Sequence, residues 1–200
     1  MINDNNTLLK IEELSKVYHD EKSETMAIDK INLEVLNKEF ISIVGPSGCG
    51  KSTLLSILSD LEKKSNGNII LNNNLKIGYM LQKDSLFPWR TVFENCLIGL
   101  EVSNSLNEET KNKVLRLLET YGLKDFIDKY PDSLSGGMRQ RVALIRTLAT
   151  NPDILLLDEP FSALDYQSRL ALSDDVFKII KGEGKTAIMV THDIAEVIYI

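Results

Sequence analysis

The sequence has few of the residues that build disulfide-linked, metal-bound or membrane-embedded proteins. Its 200 residues include two cysteines, two histidines and one tryptophan. Cys49 and Cys96 form no metal-binding pattern, and reduced thiols are the expectation. No apolar run approaches the ~18 residues that span a bilayer, and residues 1–10 are polar, unlike a secretion signal. These absences predict a cytoplasmic chain whose membrane contacts are made through a partner.

Basic residues are also scarce relative to acidic ones. There are 23 Lys and Arg against 29 Asp and Glu, which gives a net charge of −6. Nucleic-acid binders usually show a basic excess, so this balance argues against that class. Apolar residues make up 43% and charged residues 26%, as in ordinary globular proteins, and the length suffices for one domain with a core.

The first part of the chain reads as strands around one helix. Residues 8–18 and 27–35 alternate apolar and polar positions, as half-buried strands do. The β-branched run at 40–45 is typical of a buried strand, and a helix is expected from about Lys51 to Leu61. Two further short strands are expected at 66–73 and 76–82.

The middle part of the chain has helical periodicity, and strand patterns follow it. Strands are expected at 153–160, "DILLLDEP", and at 185–192, "KTAIMVTH", with a helix between them. Strands, then helices, then strands predict an α/β core with a helical subdomain inserted at 83–150. The core would comprise residues 1–82 and 151–200.

Two helices of this middle part have recognisable signals. Ser105, three residues before Glu108, predicts a capping box at the start of the first helix. The second should run from near Ser135 to Ala149, where "TNP" stops it. The apolar face of the first helix follows the spacing i, i+3, i+4, i+7 and consists of Val114, Leu117, Leu118 and Tyr121.

The stretch "GPSGCGKS", which begins at Gly45, fits the phosphate-binding pattern G-x-x-x-x-G-K-[ST] between a strand and a helix. Glycines let successive N–H groups face one anion, and the helix N-terminus adds its dipole. Lys51 would reach the β- and γ-phosphates and Ser52 would bind Mg²⁺. A glycine-rich turn with a chance lysine is the alternative, which the flanking elements disfavour. The predicted nucleotide-binding residues here are Gly45, Pro46, Ser47, Gly48, Cys49, Gly50, Lys51, Ser52 and Thr53.

Polar side chains follow three of the expected buried strands. "ILLLDEP" delivers Asp158, a candidate Mg²⁺ ligand, and Glu159, which would orient or deprotonate the attacking water. Gln82 and His192 end two other strands, although each alone is a weak signal. A solvated "DEP" turn is the alternative, and the phosphate-binding loop in the same chain argues against it.

A second glycine turn, "LSGGMRQR" at 134–141, lies far from the first loop. Ser135, Gly136 and Gly137 would present a hydroxyl and backbone N–H groups at a helix N-terminus, which is a second anion site. Ser135 as a plain helix N-cap is the simpler reading, and both can hold at once.

Six features follow one another along the chain in this order: Lys51, Gln82, "LSGGMRQR", "LLLDEP", "SALD" and His192. With these features in this order, the chain resembles the ATPase subunits of ABC transporters over nearly its whole length. The resemblance implies a P-loop NTPase core with a mostly parallel sheet, an N-terminal antiparallel β subdomain and an inserted helical subdomain. It implies that Tyr18 stacks on adenine, that Gln82 senses Mg²⁺ and the attacking water, and that Asp165 couples two sites across a dimer. Glu159 then matches the catalytic base and His192 the switch histidine.

The same resemblance implies partners. Two copies would pack head to tail as an ATP-bound homodimer, with Ser135, Gly136 and Gly137 of one copy on the γ-phosphate held by the other. ATP and Mg²⁺ are the implied cofactors. Integral-membrane permease subunits would hold the chain at the cytoplasmic face of the membrane, with a substrate-binding protein as an indirect partner and no nucleic acid.

Residues 80–101, with Phe87, Pro88 and Trp89, look most like the ATPases of nitrate, sulfonate and taurine importers. The aromatic pair Phe87 and Trp89 either packs inside the helical subdomain or forms an exposed groove for a permease helix. Residues 193–200 read as a helix without a stop signal, so a natural C-terminus beyond Ile200 is expected.

Other readings of these motifs have specific requirements. A soluble ABC ATPase of DNA repair would carry a long heptad coiled coil between the loop and "LSGG", and none is present. A translation-associated ABC protein would need two ATPase units in one chain. A P-loop kinase of small molecules would leave "LSGG" and "SALD" unexplained.

Overall fold

The computed structural model describes residues 6–20, 23–72, 74–162, 166–194 and 196. The strands are β1 (Thr7–Asp20), β2 (Ser23–Leu36), β3 (Phe40–Val44), β4 (Asn66–Leu71), β5 (Ile77–Met80), β6 (Ile154–Asp158) and β7 (Thr186–Thr191). The α-helices are α1 (Lys51–Leu58), α2 (Val92–Val102), α3 (Glu108–Thr120), α4 (Gly136–Ala149) and α5 (Tyr166–Gly182).

The first sheet is antiparallel, in the order β2-β1-β4. β1 pairs with β2 from Thr7 opposite Leu36 to Asp20 opposite Ser23, and with β4 on its other side. Leu9 and Ile11 alternate with more exposed residues along β1, because one face of this sheet packs on the core. The expected N-terminal antiparallel unit is confirmed.

The second sheet is parallel, in the order β3-β7-β6-β5. β6 and β7 are buried along their whole length, as strands covered on both faces are. Since all four strands point the same way, the residues that follow them meet at one edge, where open α/β sheets bind ligands. The α/β fold with a mostly parallel core sheet is confirmed.

Helices cover both faces of the parallel sheet. On one face, α1 packs with the inner side of the antiparallel sheet against Leu156 and Ile188. On the other, α4 and α5 pack with α2 and α3 against Leu155 and Leu157. α1 is therefore held between two sheets, which fixes the position of its first turn.

The helices match the sequence expectations with two differences. Val114, Leu117 and Leu118 are buried in α3, and α4 follows Ser135 as predicted. α1 ends at Leu58 and not at Leu61, because Asp60 takes a left-handed φ of 60° that a helix cannot continue through. Within the described residues, no helix has both the length and the apolar character needed to cross a bilayer.

The second difference concerns the start of α3, where the predicted capping box of Ser105 and Glu108 is wrong. Asn107 is the N-cap: its side chain accepts from the Thr110 N–H, and the Thr110 hydroxyl accepts from the Asn107 N–H, both at 2.9 Å. Asn is a strong capping residue, so the helix starts there, and Glu108 occupies its first turn instead.

The turn that leads from β5 to α2 depends on one buried side chain, Asn95. It is fully buried, and its Oδ1 accepts from the Phe87 N–H at 2.8 Å. Its Nδ2 donates to the carbonyl oxygens of Phe87, Arg90 and Thr91 at 2.9–3.1 Å. One amide thus satisfies backbone groups on both sides of Trp89.

Replacing Asn95 with Ala should lower the free energy of unfolding by roughly 3 kcal/mol, because the buried backbone groups it serves lose their partner. A denaturant melt measures the loss. Asn112→Ala, at an exposed position of α3, serves as the control and should change stability by less than about 0.5 kcal/mol. Equal stability of the two variants would contradict this role of Asn95.

Candidate functional site

The loop between β3 and α1 is shaped by glycines. Gly48 and Gly50 have φ angles of 80° and 95°, a left-handed backbone that glycine adopts without strain. A Cβ on Gly50 would lie 2.2 Å from the Ala27 carbonyl oxygen of β2, so another residue would push the loop away from the antiparallel sheet. The first N–H groups of α1 therefore face the sheet edge as an anion site. Of the predicted loop residues, Pro46, Ser47, Gly48, Cys49 and Ser52 are exposed, and Gly45, Gly50 and Thr53 are half-buried.

Lys51, the first residue of α1, is held against this loop. It is buried, and its ammonium donates to the carbonyl oxygens of Gly45 at 2.7 Å and Pro46 at 2.8 Å. Its Nζ also lies 3.9 Å from the Cys49 Sγ. These contacts fix a positive charge beside the N–H groups that would bind phosphate.

Asp158, the last residue of β6, is bound by hydroxyls through both carboxylate oxygens. Its Oδ1 accepts from the Ser52 hydroxyl at 2.8 Å, and its Oδ2 accepts from the Tyr79 hydroxyl at 3.0 Å. Burial and the nearby Asp158 carboxylate raise the pKa of Tyr79 to about 12, so the phenol remains a donor. Tyr79 was not predicted from the sequence, because its only signal is its place in β5 beside the strand of Asp158.

Ser52 and Asp158 provide oxygen atoms of the kind that Mg²⁺ prefers. Since the Ser52 hydroxyl donates a hydrogen bond to Asp158, the lone pairs of the Ser52 oxygen remain available to a cation. In the part of the chain that the structure describes, no three His, Cys, Asp or Glu side chains converge as a metal site. Mg²⁺ does not need such a cage, because it usually binds one or two protein groups together with waters and substrate phosphates. The side chains present therefore fit the ion.

Glu159, directly after Asp158, is contacted from two neighbouring strand ends. Its Oε2 accepts from the Gln82 amide at 3.1 Å and lies 3.2 Å from the His192 Nδ1. Gln82 also donates to the Ser162 hydroxyl at 3.3 Å. The Glu159 backbone has a φ of 43°, a left-handed conformation that costs a non-glycine residue of order 1–3 kcal/mol. Glu159 therefore has a strained backbone and lies at the sheet edge with one carboxylate oxygen already bound. Such a carboxylate is a candidate general base.

The turn that carries His192 has its own support, which the sequence analysis missed. The Thr191 hydroxyl donates to the buried Glu196 carboxylate and accepts from the Asp193 N–H at 3.0 Å. Arg169 of α5 donates to Asp193 at 3.1 Å and lies 3.7 Å from Glu196. Burial raises the pKa of Glu196 above its ordinary value. These contacts hold the end of β7 against α5.

In the serine-glycine turn at the start of α4, Ser135 is exposed and Gly136 and Gly137 are half-buried. Ser135 caps the helix by accepting from the Met138 N–H at 3.3 Å, which confirms the simpler of its two predicted roles. A Cβ added to Gly137 would meet no atom within 4 Å, so packing in this chain does not require glycine there. Among the described residues, no hydrogen bond or ion pair joins this turn to the loop at 45–53.

Arginines of α4 connect that turn to the segment after Gln82. Arg139 donates through Nε to Asp84 at 3.1 Å and through NH1 to the Leu134 carbonyl at 2.8 Å. Arg146, two turns further on, donates to the carbonyl oxygens of Asp84 at 2.6 Å and Ser85 at 2.9 Å. The sequence analysis assigned no role to these arginines, because their partners are far away in sequence.

Tyr18 lies in β1, opposite Thr25 of β2, on the hairpin whose Ala27 meets Gly50. Its side chain is partly exposed, and the Lys16 ammonium lies 4.6 Å from the ring centroid. Lys16 is in turn fixed by Glu62 and by the Lys63 carbonyl, each at 2.8 Å. An aromatic ring is thus available near the start of α1.

The structure brings six of the predicted residues to one edge of the parallel sheet. Within the described ranges, no hydrogen bond or ion pair joins the turn at Ser135, Gly136 and Gly137 to them, and Asp165 lies outside those ranges. The residues that meet at the edge are Lys51, Ser52, Gln82, Asp158, Glu159 and His192.

Comparison with known proteins gives the family. A family profile described as "ABC transporter" matches residues 28–162. The chain is 50% identical over 198 residues to the uncharacterized ABC transporter ATP-binding protein YtlC of Bacillus subtilis, covering 96% of this chain and 76% of that protein. It is 39% identical to the aliphatic sulfonates import ATP-binding protein SsuB of Bacillus cereus, covering 96% and 78%.

A solved structure agrees with the sequence matches. The ATP-binding cassette MJ0796, a dimer in a post-hydrolysis state bound to ADP and Pi, is similar at a TM-score of 0.79 and 34% identity. The similarity covers 96% of this chain and 91% of that one. The chain belongs to the ABC transporter family and is one of its ATP-binding, ATP-hydrolysing subunits.

Proposed function

We propose that this ATPase powers the uptake of a small solute through a membrane permease, as a head-to-tail dimer that encloses ATP. The observation that carries the proposal is the meeting of Lys51, the Ser52–Asp158 pair and Glu159 at one sheet edge. Residues 1–82 and 151–200 would form the ATP-binding core and 83–150 the helical subdomain. The chain would lie at the cytoplasmic face of the membrane through its permease.

The phosphates of ATP would bind to the N–H groups of the loop at 45–50 and the first turn of α1. Lys51, held beside these N–H groups, would contact the β- and γ-phosphates. Ser52 and Asp158 would hold Mg²⁺, with Gln82 close by, and the bound ion would neutralise phosphate charge. Tyr18, partly exposed beside the loop, would stack on the adenine.

Hydrolysis would start with a water next to Glu159. Gln82 and His192 both contact its Oε2, which leaves Oε1 to accept the proton of the attacking water. Gln82 would orient that water, and the His192 side chain, which is 40% exposed, would reach the γ-phosphate. Because these two residues follow β5 and β7, the strands on either side of β6, binding of the γ-phosphate would set the position of Glu159.

One chain would supply only part of each site. Among the described residues, no hydrogen bond or ion pair joins the turn at Ser135 and Gly137 to the chain's own phosphate loop, and a Cβ added to Gly137 would meet no atom within 4 Å. A second copy would place this turn on the γ-phosphate, as the dimeric form of the similar MJ0796 cassette supports. Asp165 would couple the two sites.

The contact with the permease would centre on Phe87 and Trp89. Their rings stack with centroids 5.0 Å apart, and Trp89 is 70% exposed, so the pair does not pack in the protein core. Exposed aromatic side chains often dominate interface energies. Arg139 and Arg146 tie the neighbouring Asp84 to α4, so that movement at the nucleotide would reach this surface.

The transported solute would be an anion of the nitrate, sulfonate or taurine kind. The support is the 39% identity to a protein named for aliphatic sulfonate import. Purifying the chain with its permease and binding protein, and screening such anions for stimulation of ATP hydrolysis, would test the assignment. Stimulation by an unrelated solute alone would contradict it.

Glu159→Gln should keep ATP binding while lowering hydrolysis at least ~10²-fold, the scale of a lost general base. Phosphate release and nucleotide binding measure the two effects. Glu119→Gln, which changes an exposed carboxylate of α3, should leave both unchanged. Hydrolysis near the wild-type rate in Glu159→Gln would remove that residue from the role.

Ser135→Arg and Lys51→Ala should each abolish hydrolysis, yet mixing the two variants should restore part of it. A mixed dimer retains one intact site, formed by the loop of one copy and the serine turn of the other. ATPase assays at several mixing ratios measure the recovery. Loss of ATP binding by the isolated Ser135→Arg monomer would show that the turn acts within its own chain.

Trp89→Ala should weaken assembly with the permease by ~2 kcal/mol or more while sparing the melting temperature and basal ATP hydrolysis. Leu61→Ala is the control, because Leu61 is also 70% exposed but lies after α1. A pull-down with the permease and a thermal melt compare the two. Full binding by Trp89→Ala, or an early melt, would return Trp89 to a structural role.

A further inference from the structure

Tyr79 is the one tyrosine whose hydroxyl reaches the acidic end of β6 among the described residues. Its backbone in β5 pairs with Leu156 of β6, two residues before Asp158. Its ring packs against the cluster under α1, so the phenol is fixed between α1 and the strand end.

The two oxygens of Asp158 thereby have different partners. Ser52 binds Oδ1 from the first turn of α1, and Tyr79 binds Oδ2 from β5. A carboxylate held at one oxygen cannot rotate freely, so the Tyr79 bond fixes the direction of Oδ1. Partners of this kind, behind the groups that bind a metal, set the orientation and the affinity of a site.

We propose that Tyr79 is a positioning residue for the Mg²⁺ that accompanies ATP, acting by holding Asp158 toward Ser52. The inference rests on the proposed Mg²⁺ role of Ser52 and Asp158. The phenol would act through Asp158, to whose Oδ2 it donates at 3.0 Å.

The test compares Tyr79→Phe with Tyr121→Phe. Each change removes a phenol hydroxyl that donates to a carboxylate. Tyr79 donates to Asp158 at 3.0 Å, and Tyr121 donates to Glu183 at 3.1 Å. Burial also raises the pKa of Tyr121 to about 12, so the two hydroxyls are closely matched except in place. Phe keeps each ring and its packing, and a thermal melt of both variants measures the structural cost.

The readout is the affinity for a non-hydrolysable ATP analogue, measured by calorimetry across a Mg²⁺ titration and in EDTA. Tyr79→Phe should require about tenfold more Mg²⁺ to reach half of the Mg²⁺-dependent gain in affinity, the lower end of such second-sphere effects. Its affinity in EDTA should match the wild type. Tyr121→Phe should match the wild type under both conditions.

Asp158→Asn distinguishes a failure of the proposed role of Tyr79 from a failure of the Mg²⁺ assignment. If Asp158→Asn abolishes the dependence on Mg²⁺ while Tyr79→Phe keeps the wild-type midpoint, the role of Tyr79 is overturned. An equal loss in Mg²⁺ and in EDTA for Tyr79→Phe would also overturn it, because that pattern belongs to a general structural defect. If Asp158→Asn changes nothing, the Mg²⁺ assignment itself fails and the inference fails with it.

Discussion

The hydrogen bond between Ser52 and Asp158 joins the two halves of the proposed nucleotide site. It connects the first turn of α1 to the end of β6, residues that lie more than a hundred positions apart in the chain. The parallel sheet brings the strand end to the right edge, and the sandwiching of α1 between two sheets brings the helix to meet it. Lys51 on one side and Glu159 on the other are each next to a member of this pair. The geometry of the whole site therefore depends on this bond and on the packing that permits it.

Around this centre the site is built from strand ends. Gln82, Glu159 and His192 follow β5, β6 and β7, and their side chains touch because the three strands are neighbours in the sheet. Two of the three are also connected to outer elements: Gln82 through its own segment to α4, and His192 through Thr191 and Glu196 to α5. Under the proposed function, a change at the γ-phosphate would therefore reach two helices through short, directional contacts.

Much of this could be predicted from the sequence, and the part that could not has a physical reason. The glycine loop and the "LLLDEP" strand are local patterns that depend on residues close together in the chain. The alternation in β1 and the helical face at Val114 and Leu118 are periodicities that survive without knowledge of the fold. Tyr79, Arg139 and Glu196 were missed because their partners lie in other elements and no local pattern marks them. The predicted start of α3 at Ser105 is wrong because Asn107, two residues later, caps the helix, and only the folded backbone shows this.

The open space beside Gly137 makes stability and activity respond differently to the same change. Within a helix, alanine is more stable than glycine by roughly 0.5–1 kcal/mol, and nothing in this chain would collide with the added methyl group. A scan that selects variants for folding alone would therefore favour alanine at this position. A scan that selects for growth on the transported solute would reject it wherever a second surface has to approach the backbone closely. If the two scans disagree at Gly137, the glycine is required there by contact with another molecule and not by the folding of this chain.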